Sequence, residues 1–390
     1  LTNFFETRIE DKIAPSFNLN YNLFPNTTIN FSGQFMFYQI KRYHNIFDPT
    51  APVSATERIL SEQWINLNLE ILSRTKLFEP KVGFSYYFRS EENNLDKRFE
   101  LDNQTFSQLS STEIQKNNYQ TRLNAYYILY LPFKDNFTTL SGNVSILRYD
   151  TPSPLNDDDR DEFSFLASLS TKHRFSEYYT LGLTLDLQLN HLVFLKASKS
   201  SLNNWNRVIR LSTNSFYKTD NFLWKPNFEI FSNYLVYDFE TISGNVKSYA
   251  FRQFTYRDSL EIMLSKFLTL SNTLVYKYSE RGNLYWKEFA MTKESKINEI
   301  FIKTMLNLSY TEKIHYGIGA RLYNIKQTPL NKNLSRENYF YYSYSPEVEI
   351  KFFLGNNNII FLQGWYELKF WNYKIVGENP NLTITTRVNL

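Results

Sequence analysis

Glu347 and Glu349 stand two residues apart, with Lys351 at the next step of the same spacing. On a strand that spacing puts all three on one face, with the two carboxylates about 7 Å apart. Inverting glycosidases use carboxylates at such a separation. The lysine on the same face favours a salt-bridge ladder over an acid–base pair, since charged pairs of this kind are often structural. Histidines occur at His44, His173, His191 and His315 only, and no two have metal-ligand spacing. His191 lacks a serine nearby to serve as nucleophile, so it reads as a rim histidine. Cysteine is absent, which excludes disulfides, thiolate metal sites and cysteine catalysis. No catalytic residue, metal site or cofactor is expected, and the chain does not read as an enzyme.

Charge is concentrated in two places. Asn156 to Glu162 carries Asp157, Asp158, Asp159 and Asp161, enough carboxylates for a hard cation, but Arg160 interrupts the run. A solvated acidic loop is expected there. Lys196 to Lys199, with Arg207 and Arg210 beyond, is basic enough to meet a surface polysaccharide or an acidic partner, or to be ordinary loop charge. Gly317 and Gly319 make no phosphate loop; two apart on a strand, they leave space on one face. Asn30, Asn143 and Asn307 begin Asn-x-Ser/Thr triplets but fall within strands, not on surface loops suited to glycans.

The elements that carry these residues announce themselves by period. Leu181, Leu183, Leu185, Leu187 and Leu189 alternate with Gly182, Thr184, Asp186, Gln188 and Asn190. A period of two over this length is a strand with unlike faces, and no amphipathic helix produces it. The same alternation recurs from Phe17 to the C-terminus and predicts about 18 strands, including one over residues 1–9. The 390 residues then allow about 22 per strand and connection, which suits strands of about 9–11 residues crossing a bilayer at a tilt. No run of about 18 apolar residues is present. Lys+Arg 43 against Asp+Glu 39 gives a net charge of only +4, too balanced for a nucleic-acid binder. Leu1 opens directly into polar sequence, as a mature or trimmed chain would.

Connections alternate in length. Short ones are expected near 24–28, 75–80, 132–136, 175–179, 218–221, 265–267, 311–313 and 355–357. Long polar ones are expected at 41–61, 90–117, 150–161, 195–205, 238–251, 280–296, 326–340 and 374–380. Tyr and Trp cluster at strand ends, as in Tyr339–Tyr342 and around Trp365 and Trp371. On these patterns the chain resembles Gram-negative outer-membrane β-barrels, porin-like proteins as a class. Many of those end on an aromatic residue, whereas Arg387-Val388-Asn389-Leu390 does not. The expected fold is all-β: one transmembrane antiparallel up-and-down barrel of 16–18 strands spanning 1–390, with short turns on one rim and long loops on the other.

Placing the apolar parity against lipid puts Arg122, Asp186, Arg210, Glu229, Arg257, Glu261, Lys277, Glu299, Lys303, Arg321, Glu347, Glu349, Lys351, Glu367 and Lys369 in the lumen. Amides line the N-terminal third, including Asn18, Asn20, Asn66 and Asn68. Barrels of 16–18 strands leave an aqueous channel. The expected function is therefore an outer-membrane channel or conduit for polar solutes or a secreted chain. The alternative is a plugged or partner-filled barrel anchoring a cell-surface assembly. Outer-membrane lipid and a periplasmic or surface protein are the expected partners, with no nucleic acid.

Overall fold

The computed structural model describes residues 3–47, 54–75, 77–99, 103–240, 247–309, 311, 313–330, 339–354 and 358–387. The strand segments, in chain order, are β1 (Asn3–Ile13), β2 (Ser16–Phe24), β3 (Thr27–Phe47), β4 (Ser54–Ser73), β5 (Glu79–Phe99), β6 (Asn118–Phe133) and β7 (Asn136–Asp150). Then come β8 (Arg160–Arg174), β9 (Tyr179–Phe194), β10 (Asn204–Lys218), β11 (Phe222–Trp224), β12 (Asn227–Tyr237) and β13 (Tyr249–Met263). Last are β14 (Leu268–Tyr285), β15 (Ala290–Leu308), β16 (Ile314–Pro329), β17 (Tyr339–Phe353), β18 (Ile359–Trp371) and β19 (Lys374–Arg387). Among the described residues a single α-helix, α1 (Asn103–Ile114), lies between β5 and β6. All 19 segments belong to one sheet, and every pairing is antiparallel.

Two of the breaks are proline breaks within one strand. Ile13 opposite Phe37 and Ser16 opposite Gln34 share a single register, so β1 and β2 are one strand interrupted at Ala14-Pro15. Pro15 has no N–H to donate, but its carbonyl accepts from Phe35 N at 3.0 Å, so the ladder continues past it. Pro226 separates β11 from β12 in the same way and accepts from Ser215 N at 3.1 Å. Merging these pairs turns the 19 segments into seventeen strands, each hydrogen-bonded to its sequence neighbours. The result is an up-and-down β-barrel wall. Among the described residues no register joins β1 or β2 to β19.

The rims sort by loop length. One rim carries tight turns such as Pro25-Asn26 and Lys134-Asp135; the other carries 103–117, 151–159 and 195–203, while 241–246 and 331–338, within the expected connections 238–251 and 326–340, lie outside the described residues. Four of the expected long loops are corrected. Most of 41–61 is strand, because β3 runs to Phe47 and β4 starts at Ser54. In 90–117, β5 extends to Phe99 and α1 follows. The 280–296 loop shrinks to Trp286–Phe289, and 374–380 lies wholly within β19 after a turn at Asn372-Tyr373. The cause is length: β9 alone has 16 residues, about 53 Å at the usual rise. Strands of that length climb well past a bilayer, and above it both faces meet water, so alternation fades and the sequence looks like loop.

Burial is inverted relative to a water-soluble protein. The most enclosed side chains include Glu57, Thr255, Ser343, Glu347 and Glu349, while Leu123, Ile146, Leu183, Ile230, Ile318, Val348 and Leu382 are exposed. Large apolar side chains facing outward in rows, around a wall that hides carboxylates, fit a hydrocarbon solvent on the outside.

Candidate functional site

Residues directly opposite in an antiparallel ladder share a face, so the registers sort the inner wall without ambiguity. Asp186 faces Arg210, which faces Phe231, and that faces Gln253. Glu229 faces Thr255, and Thr255 faces Lys277. Lys277 then leads to Glu299. Lys303 faces Arg321. Glu347 and Glu349 face Gly319 and Gly317 on one side, and Trp365 and Gln363 on the other. Continuing through Tyr87 opposite Arg122, Glu261 opposite Ser271, Lys351 opposite Phe361 and Ser343 opposite Lys369, all fifteen expected lumen residues fall on this one face. Apolar Leu123, Leu185, Ile230 and Ile318 fall on the other.

The face is curved. A cavity of about 970 Å³ is lined at once by Tyr126 of β6, Asp186 of β9, Arg210 of β10, Glu229 of β12 and Gln253 and Arg257 of β13. Within it Arg210 binds Asp186 through Nε at 2.8 Å and Nη2 at 2.6 Å, and Ser168 Oγ donates to the same carboxylate at 2.6 Å. Arg257 reaches Glu229 at 4.0 Å. A smaller cavity of about 410 Å³ lies against Asn18, Asn20, Asn30, Ser32, Asn68 and Glu70. Glu70 there accepts from the Tyr126 hydroxyl at 2.6 Å and from Lys81 at 2.7 Å. Tyr126 lies two strands away from Glu70, and its ring crosses β5 at Gly83. A Cβ at Gly83 would meet that ring at 2.2 Å, so glycine is what opens the path.

The densest cluster sits on β15 to β18. Lys303 Nζ donates to Glu347 at 2.8 Å and to Glu349 at 2.7 Å. Arg321 Nη2 donates to Glu347 at 2.7 Å, and its Nε contacts the other carboxylate oxygen. Gln363 Nε2 donates to Glu347 at 2.7 Å and Glu349 at 2.8 Å, and the Arg321 guanidinium lies 4.2 Å from the Trp365 ring centroid. Two cations thus balance two anions, and Glu347 is only 1% exposed. Both Glu347 oxygens accept hydrogen bonds, which is what makes such burial tolerable.

Two sequence expectations change here. The ladder does not run along β17 to Lys351: that ammonium lies 5.3 Å from the Phe361 ring centroid, with no carboxylate partner among the described residues. The carboxylates are paired across strands instead, by Lys303 and Arg321. Nor do Gly317 and Gly319 leave empty space. A Cβ at Gly319 would strike Met305 Sδ at 2.4 Å, so the glycines make room for a methionine that is 2% exposed. Elsewhere on the face Lys277 binds Glu299 at 3.0 Å and Lys369 lies 3.6 Å from Glu367. Arg122 and Glu261 have no ion pair among the described residues.

At the long-loop rim the acidic run and the basic loop meet each other. Lys196 Nζ lies 3.6 Å from Asp157 and 3.8 Å from Asp159, Ser198 donates to Asp157 at 2.7 Å, and Lys199 binds Asp158. Asp159 also accepts from Thr151 N and Oγ1, both at 2.5 Å. The run is therefore a latch between two loops and not freely solvated. Ser198 first, and Lys196 next, hold the Asp157 carboxyl below its ordinary value of 3.8. Sequence reasoning missed α1, whose Glu113 is buried against Lys116 at 2.8 Å and Arg58 at 3.5 Å. Its only signal was Phe106, Leu109 and Glu113 recurring at helical spacing in an otherwise polar stretch.

The chain matches no protein-family model and no curated protein. Among solved structures it is similar to the alcaligin outer membrane receptor FauA from Bordetella pertussis. Identity is 10% and the TM-score 0.40, over 98% of this chain and 75% of that one. It is also similar to the ferric yersiniabactin uptake receptor FyuA from Yersinia pestis, at 9% identity and TM-score 0.33 over 99% and 71% of the two chains. A bacterial polysaccharide outer membrane secretin matches at 7% identity and TM-score 0.29, over 85% of this chain and 96% of that one.

Proposed function

We propose that this chain is a bacterial outer-membrane conduit that passes polar solutes through a water-filled lumen, with outer-membrane lipid around it. One observation supports this above the others: the face carrying fifteen charged side chains is concave and bounds a cavity lined by strands β6 to β13. No bond is made or broken. Passage is governed by size and by the charges that the wall leaves uncompensated, since paired groups present little net field. Most of the wall is compensated: Asp186 by Arg210, Glu299 by Lys277, Glu347 and Glu349 by Lys303 and Arg321. Arg122, Glu261 and Lys351 are the charges left to act on a passing ion. With both signs among them, weak ion selectivity is expected.

Planar-bilayer recording of the purified protein tests the proposal. Stable conductance steps are expected, with a reversal potential that moves toward cation preference in the Arg122→Glu variant. Silence across several lipid compositions would overturn the conduit and favour a barrel that anchors a surface assembly. The enclosure of Glu347 and Met305 within the wall gives that second reading its support, because part of the inner face is covered by its own side chains.

A further inference from the structure

The outward face of β10 to β14 carries two arginines where lipid-facing side chains belong. Arg207 shares a face with Trp205 and Ile209, and sits opposite Tyr234. Arg252 shares a face with Phe254 and Tyr256, and sits opposite Glu280. Neither has a hydrogen bond or an ion pair among the described residues, and Nη1 of Arg207 and Nε of Arg252 are buried without partners. What holds them is aromatic. The Arg207 guanidinium lies 4.2 Å from the Trp286 ring centroid and 5.2 Å from that of Trp205, and Arg252 lies 5.5 Å from Tyr234 and 5.9 Å from Phe289. Aromatic faces hold and orient a guanidinium without neutralising it.

Nearby carboxylates are engaged elsewhere. Asp238 binds His191 at 3.0 Å, and that imidazole stacks on Trp205 at 4.1 Å. Glu280 binds Lys293 at 2.6 Å and accepts from Tyr278 at 2.5 Å. Neither carboxylate closes an ion pair with an arginine, which leaves two cations on the outward face open to an external anion.

Their height identifies its source. Arg207 lies eleven residues above Lys218, the lower end of β10, and Arg252 eleven above Met263, the lower end of β13. At about 3.3 Å per residue and a tilt of about 40°, both stand about 28 Å above the lower rim, at the top of an apolar band about 25 Å tall. Below them the same face is Ile209, Leu211, Phe228 and Ile230, all exposed. We infer that Arg207 and Arg252, framed by Trp205, Trp286, Tyr234 and Phe289, bind the phosphate headgroup of an anionic lipid in the surrounding leaflet. Its acyl chains then lie along the apolar rows beneath. The inference rests on the membrane placement proposed above.

Native mass spectrometry of the detergent-solubilised protein, titrated with phosphatidylglycerol or phosphatidylcholine, tests it. The wild-type chain is expected to retain phosphatidylglycerol at least 10-fold more tightly than phosphatidylcholine. The Arg207→Gln/Arg252→Gln double variant should weaken that retention about 30-fold, while Arg210→Gln, on the inner face, should keep it. Equal retention of the two lipids, or an unaffected double variant, overturns the site. Displacement of the lipid by 10 mM inorganic phosphate would also overturn it, in favour of a free-anion site. Should the double variant fail to fold, quenching by brominated lipids decides. Brominated phosphatidylglycerol should quench tryptophan more than brominated phosphatidylcholine, and the excess should vanish in the Trp205→Phe/Trp286→Phe double variant; no excess refutes the inference. Conductance is read separately, so persistent channel steps without lipid preference sink this site alone, and lipid preference in a silent barrel sinks only the conduit.

Discussion

Leu185 and Asp186 are neighbours in sequence and are separated by the whole thickness of the wall in effect. Leu185 is opposite Leu169 and Leu211 on the outer face; Asp186 is opposite Ser168 and Arg210 on the inner one. Leu185 stands six residues above Tyr179, where β9 begins. Six residues rise about 20 Å along the strand, or about 15 Å along the membrane normal at a tilt of about 40°. That is close to the middle of an apolar band about 25 Å tall, where arginine costs about 2–4 kcal/mol. Asp186→Asn removes a carboxylate whose partner Arg210 is 50% exposed in its side chain. Such a solvated pair contributes about 1 kcal/mol or less. Urea titration of each variant folded into lipid vesicles, with the heat-modified gel shift as a folding check, should therefore show a gap of at least about 1 kcal/mol, Leu185→Arg being the worse. A reversed order would mean that the two faces are exchanged and that every inner-wall residue named here points outward. A wild-type chain that stays monodisperse without detergent would refute the membrane placement itself, whatever the variants did.

Glu347→Gln takes one anion from an enclosed cluster and leaves Lys303 and Arg321 with Glu349 alone, so it should destabilise the barrel by about 3 kcal/mol. A double-mutant cycle with Lys303→Gln should return a coupling above about 1 kcal/mol, and additivity would show the two to be independent. The loop latch is pH-dependent. Because Asp157 titrates below 3.8 in the folded chain, its contribution is complete above that value and is lost as pH falls through the lower one. Acid protease cleavage within 151–159 should accordingly rise at pH 3 or below relative to pH 5, and an unchanged cleavage rate would argue against the latch.

How much of this was legible in sequence depended on which solvent each segment met. The leucine row of β9 alternates with polar residues, and that contrast made the strand and its two unlike faces readable, with Leu185 on one and Asp186 on the other. Above the bilayer the contrast disappears. Glu280, Lys293 and Glu378 lie on strands there, yet their polarity made 280–296 and 374–380 look like loops. Ion-pair partners were illegible for another reason. Lys303 reaches Glu347 only because β15, β16 and β17 are held in a stagger that turn geometry sets. The acidic run and Lys196 to Lys199 were each visible as charge, but their meeting depends on two loops emerging side by side from adjacent hairpins.

With Pro15 and Pro226 as interruptions within strands, the described residues hold an odd number of strands, and oddness has a directional consequence. The first strand descends from Asn3 at the long-loop rim to Phe24 at the other, and β19 descends likewise from Lys374 to Arg387. Probes attached beside Asn3 and Arg387 would therefore report from opposite rims of the wall. The two border strands run in the same sense, so joined directly they would form the sole parallel ladder in the sheet, with slanted and slightly weaker bonds. A single intervening strand would instead run antiparallel to both. In hydrocarbon an open border cannot be left to solvent, because each unpaired backbone amide there costs several kcal/mol. The seam is thus the one place where the wall's polarity, and not its side chains, decides what can lie beside it.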